Sequence, residues 1–340
     1  MKKKSDFIKH YGGIFLCFTI LLSCNQIPEK FSKDNIFSAA QSDTSVIFAP
    51  GLVSTHLAER DAALSPDGNE FYFTISSFIR PTIAFIQKQE GKWDTPRVAS
   101  FSGVYSNLEP HFSPNGNRLY FASNRPLEDN GEPKDFDIWY VDKTEHGWSE
   151  PINLGEPVNT PANEFYPSVT KSGTLYWCAT RSDGIGGEDI FFSKLIDGQY
   201  QTVQVLSDSI NTKSDEYNAF VDPDERYIIF TSHGWGAGYG RGDLWISYRK
   251  MDDTWTKPIN MGETINTFAL EYCPFVSHDG KYLFFTSDRT NSAAIKSPST
   301  YQDIVDFSLL PQNRLSSIYI VKTDIIDSLK PTNYSLNHKF

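Results

Sequence analysis

From Glu59 onward, short aromatic and β-branched runs alternate with polar turns, and one segment recurs five times. It reads ERDAALSPDGNEFYFTIS from Glu59, NLEPHFSPNGNRLYFAS from Asn107, EFYPSVTKSGTLYWCAT from Glu164, EYNAFVDPDERYIIFTS from Glu216 and EYCPFVSHDGKYLFFTS from Glu271. The copies start 48, 57, 52 and 55 residues apart. Each predicts a short strand, a tight turn with Pro-Asp-Gly chemistry and a second, more apolar strand. A third strand is expected at TIAFIQ (Thr82), DIWYVD (Asp137), DIFFSK (Asp189), DLWISY (Asp243) and SIYIVK (Ser317). A fourth is expected at WDTPRVA (Trp93), WSEPINL (Trp148), YQTVQVL (Tyr200) and WTKPINM (Trp255). The last copy has no fourth strand after it, but SVIFAPGL (Ser45 to Leu52), ahead of the first copy, has the composition to supply one. A strand from each end of the chain paired in one sheet leaves no open radial edge. The pattern therefore predicts an all-β fold: a five-bladed β-propeller of four-stranded blades over 45–321, closed by an N-terminal strand that completes the last blade. A pair of β-sandwiches is disfavoured by a period kept five times.

The first thirty residues follow another pattern. Met1-Lys2-Lys3-Lys4 is positive and Gly13 to Ser23 is an apolar run, short for a bilayer span but suited to an export signal. It ends in Leu21-Leu22-Ser23-Cys24, which resembles a bacterial lipoprotein signal. The resemblance implies cleavage before Cys24 and acylation of its thiol, with residues 1–23 as signal peptide, 24–44 as tether and 322–340 as C-terminal tail. The expected location is the cell envelope, as an outer membrane lipoprotein with its exposed side open.

With 31 Lys plus Arg against 42 Asp plus Glu, the net charge is −11, and removing residues 1–23 leaves −14. An acidic surface argues against nucleic acid, which needs a basic stripe. Hydrophobic residues at 39% and aromatics at 14% are too rich for a disordered chain. Cys178 and Cys273 fall inside apolar runs of different repeats and read as buried free thiols. No Cys/His cluster has zinc spacing, and neither a metal nor a cofactor is expected.

The Pro-Asp-Gly turns, LYFAS and DIW resemble the WD-like propeller repeats of TolB and related envelope proteins. GWSEPINLGEPVNTPANEFYPSV and KPINMGETINTFALEYCPFVS are similar to repeats in lipoproteins and OmpA-linked proteins of Bacteroidetes. The resemblance covers residues 45 to about 321, and it specifies fold more than function. TolB-type propellers usually have six blades, and neither TolB's extra N-terminal domain nor an OmpA-like domain is recognisable.

A residue that recurs in phase is explained first by the repeat. Trp93, Trp139, Trp148, Trp177, Trp245 and Trp255 are in phase and read as packing between blades. Glu59, Glu164, Glu216 and Glu271, with Arg125, Arg181 and Arg289, read as an ion-paired ring around the channel mouth. Trp235 is out of phase, in the glycine-rich stretch His233 to Asp243 with Tyr239. Either its indole faces a sugar ring or the loop folds its aromatics onto its own blade. The parallel loop Ser182 to Asp189 carries acids and glycines but lacks the alternating carboxylates of an EF-hand. His278 replaces a turn proline and reads as a surface residue.

Asp61 and Glu109 stand where other copies have Tyr166, Asn218 and Cys273, with Arg60 and His111 beside them. Paired carboxylates about 5–10 Å apart are what glycoside hydrolysis requires, but no third catalytic element is identifiable. A long insertion, Thr290 to Ser316, can form a short helix and lie across the channel face. The expected function is non-catalytic binding of polysaccharide in a glycan-degrading system, with Trp235, Tyr239, His233, Arg60 and His111 as ligand contacts. A TolB-like or OmpA-associated assembly role, with an envelope protein as partner, and a glycan hydrolase or lyase acting through Asp61 and Glu109 are the alternatives.

Overall fold

The computed structural model describes residues 33–41, 44–128, 131–290 and 297–332, and over these the chain is a five-bladed β-propeller. The expected signal, Cys24 and most of the expected tether lie outside the described residues. The first three strands of each blade are Glu59–Leu64, Glu70–Ile75 and Thr82–Gln89; Asn107–Phe112, Arg118–Ser123 and Asp137–Thr144; Glu164–Val169, Leu175–Ala179 and Asp189–Ser193; Glu216–Val221, Tyr227–Ser232 and Asp243–Tyr248; and Glu271–Val276, Tyr282–Ser287 and Ser317–Lys322. These are nearly continuous buried runs, because each sheet is covered on both faces by its neighbours.

The outer edges differ from the expectation. Instead of one fourth strand, blade 1 has two-residue pieces at Lys92–Trp93 and Arg97–Val98, and blade 2 at Gly147–Trp148 and Ile152–Asn153. Pro96, Pro151 and Pro258 follow the tryptophan of each Trp-led outer edge; proline has no N–H for the ladder and confines pairing to short stretches. Blade 3, without that proline, inserts a small hairpin, Leu195–Ile196 with Gln199–Tyr200, ahead of Gln204–Val205.

Closure occurs where the sequence places it. Val46 pairs with Ile320 and Ile47 with Tyr319, and the Phe48 N–H continues the ladder to the Ile318 carbonyl at 2.8 Å. Phe48, fully buried, puts its ring 5.1 Å from Phe284 of blade 5 and 4.8 Å from Phe71 of blade 1. The packed domain reaches further back than residue 45: Ile36 and Ala40 are buried, and Phe37 stacks on Tyr282 at 5.2 Å. At the other end Ile326, in a short helix Asp324–Ser328, is also buried. Among the described residues no helix is long and apolar enough to cross a membrane.

The linkers between blades are bolted down by one recurring device. The Asn159 side chain accepts from the Ile138 N–H and donates to its carbonyl, both at 2.9 Å, acting as a one-residue strand against the third strand. Asn211 does the same to Ile190, and Asn266 to Leu244. Ser102 accepts from Ile83, and Ser54 bonds Ile318 in both senses. Linkers, second-to-third-strand loops and the starts of the first strands all lie on one face, termed here the mouth face.

Phe48→Ala removes the ring that joins the closing strand to both terminal blades, and it is expected to cost about 3–5 kcal/mol. Urea unfolding checks this; a loss below about 1 kcal/mol would show that closure does not depend on this contact.

Candidate functional site

The third residue of every first strand is a non-glycine with positive φ: Asp61 at 63°, Glu109 at 61°, Tyr166 at 53°, Asn218 at 49° and Cys273 at 53°. Strand pairing shifts register at each of them, so each is a β-bulge. The left-handed conformation is unfavourable for such residues, and its fivefold repetition ties it to the architecture. Two of these side chains reach the backbone of the next blade. The Glu109 N–H donates to Asp61 Oδ2 at 3.1 Å and the Tyr166 N–H to Glu109 Oε2 at 2.7 Å. Asn218 Nδ2 lies 3.3 Å from Glu109 Oε1, and Cys273 Sγ lies 3.4 Å from Asn218 Oδ1.

Arg60 ties this layer together. Its Nε donates to Asp61 Oδ1 at 2.7 Å, and its Nη2 to Glu109 Oε1 at 2.8 Å and to Cys273 Sγ at 3.3 Å. Its guanidinium lies over the Tyr272 ring, 5.1 Å from the centroid. The structure thus brings Asp61, Glu109 and Arg60 together, with both carboxylates buried against the cation. Burial pushes the Glu109 carboxyl up, and the Arg60 guanidinium beside it opposes that.

His111 is not part of that group. Two residues further along its strand, its ring lies 6.5 Å from Phe220 and 6.4 Å from Phe275, which are 5.8 Å from each other. Its Nε2 accepts from the Val169 N–H at 3.2 Å, and burial lowers it to about 3. The axis therefore carries two packed layers, one charged and one aromatic. His278 stands in the turn expected for it but is half-buried: its ring is 6.0 Å from Phe275, and burial lowers it to about 4.

The expected ion-paired ring is also different in kind. Each glutamate turns into its own linker, accepting from the hydroxyl and N–H of the threonine four residues earlier: Thr55 to Glu59, Thr160 to Glu164, Thr212 to Glu216 and Thr267 to Glu271. Only Glu271 has the expected arginine, Arg289 at 3.2 Å. Arg125 bonds Asn107, and Arg181 turns out to Asp183. With threonine already satisfying each carboxylate, a second cation is not needed there. Burial raises Glu59 and Glu164 to about 7.

The second residues of the first strands are Arg60, Leu108, Phe165, Tyr217 and Tyr272. Leu108 and Tyr272 are buried, Phe165 and Tyr217 are half-buried, and the Arg60 side chain retains 19% exposure. Glu188, from the loop after the second strand of blade 3, joins them. Burial raises its carboxyl, Asp215 adds to that, and Cys178 and Arg60 oppose it. The Asp215 Oδ1 accepts from the Glu188 N–H at 2.9 Å, and its Oδ2 lies 3.6 Å from His233 Nδ1. His233 Nε2 in turn lies 3.4 Å from the Tyr217 hydroxyl. Phe165, Tyr217, Tyr272 and Glu188 were not among the expected contacts. An aromatic or arginine at the second position of four copies was the available signal.

The glycine-rich loop of blade 4 joins this mouth through His233. Its tip folds around Asp243, which accepts from the N–H groups of Tyr239 at 2.7 Å and Gly240 at 3.1 Å. Trp235 folds back, its Nε1 donating to the Ile210 carbonyl at 2.7 Å, whereas Tyr239 is 50% exposed. In the parallel loop of blade 3, Asp189 Oδ2 accepts from Ile185 and Gly186. Among the described residues no three His, Cys, Asp or Glu side chains are grouped to hold a metal.

No family model and no curated protein matches this sequence. Solved propeller structures do. A putative TolB from Agrobacterium tumefaciens is 15% identical over 68% of this chain and 70% of its own, with a TM-score of 0.45. TolB from Acinetobacter baumannii is 13% identical over 78% of this chain and 57% of its own, also at 0.45. An alpha-L-arabinofuranosidase from Lactobacillus brevis is 15% identical over 84% of this chain and 98% of its own, at 0.46. At such identities the likeness is one of architecture.

Arg60→Met strands two buried carboxylates and is expected to cost about 3–5 kcal/mol. Adding Asp61→Asn and Glu109→Gln should restore most of it; equal stability of single and triple variants in urea would refute the charge argument.

Folded Glu59 and Glu164 keep protons that the unfolded chain releases near 4.5. Unfolding therefore releases protons between about pH 5 and 7, and stability falls as pH rises through that window. Thermal melts that rise across it would contradict the assignment.

Proposed function

We propose that this chain is an exported, lipid-anchored propeller that binds a neutral polysaccharide at the mouth of its closed channel and does not cleave it. The carrying observation is Arg60 over the Tyr272 ring at 5.1 Å, with Glu188 near Arg60 and Asp215 and with Tyr217 5.6 Å from His233, above an axis packed in two layers. Aromatic faces suit the C–H side of a sugar ring, and an arginine beside a carboxylate offers donors and acceptors to neighbouring hydroxyls. An anionic glycan is disfavoured by Glu188, by Asp215 and by the net charge of −14 left once residues 1–23 are removed. The hydrolase alternative draws on Asp61 and Glu109, but both are buried and committed to Arg60 and to backbone N–H groups. A glycosidic oxygen needs one free acid and one free base.

The anchor belongs to the same proposal. Cys24 is the lipidated residue, and the outer membrane is the expected location. A second reading, docking of an envelope protein, draws on exposed apolar side chains of the mouth-face loops. Phe78, Ile79 and Phe268 stand there, with Tyr301 and Ile304 of a helix, Tyr301–Ser308, that buries none of its residues.

Affinity electrophoresis against neutral and acidic polysaccharides tests the proposal. Retardation by at least one neutral glycan is expected, and Tyr217→Ala with Phe165→Ala should weaken it about tenfold or more, as loss of one stacked sugar contact would. No retardation by any glycan, with envelope proteins crosslinked through Tyr301 instead, would replace it with the second reading.

A further inference from the structure

The first described residue, Lys33, is bound to the face opposite the mouth. Its carbonyl accepts from the Trp93 N–H at 3.0 Å, and next to it Asp34 Oδ1 lies 3.9 Å from Lys92 Nζ. Both partners belong to the hairpin Lys88–Trp93, which the third strand of blade 1 enters after running its full length away from the mouth. Ile36 is 2% exposed, and Phe37 stacks on Tyr282, which opens the second strand of blade 5 beside the turn at 277–281. Val46 and Ile47 then climb antiparallel to the third strand of blade 5. The chain reaches the mouth face only with Ser54, which accepts from the Ile318 N–H, and with Glu59. The N-terminal segment thus enters the propeller from below and is packed where it enters.

We infer that the anchored propeller stands with the face opposite the mouth toward the lipid bilayer and with its mouth directed away from it. The inference rests on the Cys24 anchor proposed above and goes beyond it. Cys24 and Lys33 are nine residues apart. An extended chain gains at most about 3.3–3.6 Å per residue, so the packed domain begins within about 30 Å of the acylated thiol. Strands of six residues at about 3.3 Å each make a blade about 20 Å tall, and the loops of the mouth face stand beyond it. With the mouth turned to lipid, the tether would have to climb the whole blade and its loops, which takes up nearly all of its length. With the opposite face toward lipid there is no such distance to cover. What could pull the mouth down is its exposed apolar side chains. Tyr301 and Ile304, however, share their helix with Asp303 and Asp306, all four exposed, and sinking that helix into lipid would take two carboxylates out of water. The mouth therefore meets its ligand from the aqueous side, and Phe78, Ile79 and Phe268 face away from the bilayer.

Energy transfer to lipid tests this, with the full chain isolated from the membranes of an expressing bacterium and reconstituted into phosphatidylethanolamine–phosphatidylglycerol vesicles that carry a rhodamine lipid. Cys178 and Cys273 are buried, so a single introduced cysteine takes a maleimide dye selectively. Ser172→Cys places the dye on the first-to-second-strand turn of blade 3, and Ser182→Cys places it on the mouth-face loop of the same blade; both serines are exposed. Transfer is expected to be at least about twice as efficient from position 172 as from position 182, the two dyes standing a blade height apart. Equal transfer, or stronger transfer from position 182, in protein that floats with the vesicles overturns the orientation and leaves the anchor in place. Protein that does not float with them overturns the anchor, and the orientation with it.

Discussion

The inward bulge at the third residue of each first strand is the constraint on which the rest of this propeller depends. Five strands converging on an axis bring five unpaired stretches of backbone together where water is scarce. A buried N–H without a partner is costly, so each must be met by a side chain. The bulge meets this by turning the third side chain toward the axis, where Asp61 takes the Glu109 N–H and Glu109 takes that of Tyr166. One layer below, His111 takes the Val169 N–H and Ser168 that of Val221. Blade-to-blade stitching is thus achieved by polar side chains, which then have to be neutralised. Arg60 does that for two carboxylates at once.

This solution also decides what the axis can do. A channel open to solvent would leave Asp61 and Glu109 free to meet substrate. Here the Arg60 guanidinium and the aromatic contact of Phe220 with Phe275 fill the space. The same cation that closes the channel remains partly exposed upward, and its position over Tyr272 makes it part of the mouth. Structural closure and ligand-facing chemistry are therefore two sides of one residue.

Much of the fold was legible because its cause is a period. Strand, turn and strand recur five times, and the leftover segment at 45–52 had only one place to go. The broken outer edges follow from Pro96, Pro151 and Pro258, which were in view but were read as strand interior. The bulges were hidden, because no glycine marks them: Asp, Glu, Tyr, Asn and Cys all adopt the left-handed backbone here. Asp61 and Glu109 were recognised as out of phase, yet their meaning lay in Arg60, one residue away in sequence and pointed at both only once the ring is closed. His278 took the place of a turn proline and gave no sign that it would be half-buried beside Phe275.

Phe165, Tyr217 and Tyr272 were missed for a more general reason. Setting aside whatever recurs in phase removes the glutamates and tryptophans of the repeat, and that sorting was sound for the glutamates, which turn into their own linkers. It fails at positions that ring the axis, because symmetry brings equivalent residues of all blades to one place. Arg60, Leu108, Phe165, Tyr217 and Tyr272 occupy one repeat position and differ in chemistry, and a ring of unlike neighbours is what a recognition surface needs. In a propeller, then, the informative variation is found within a repeat position at the axis. Loops that break the pattern, such as the one bearing Trp235, are as apt to fold back onto their own blade as to face a ligand.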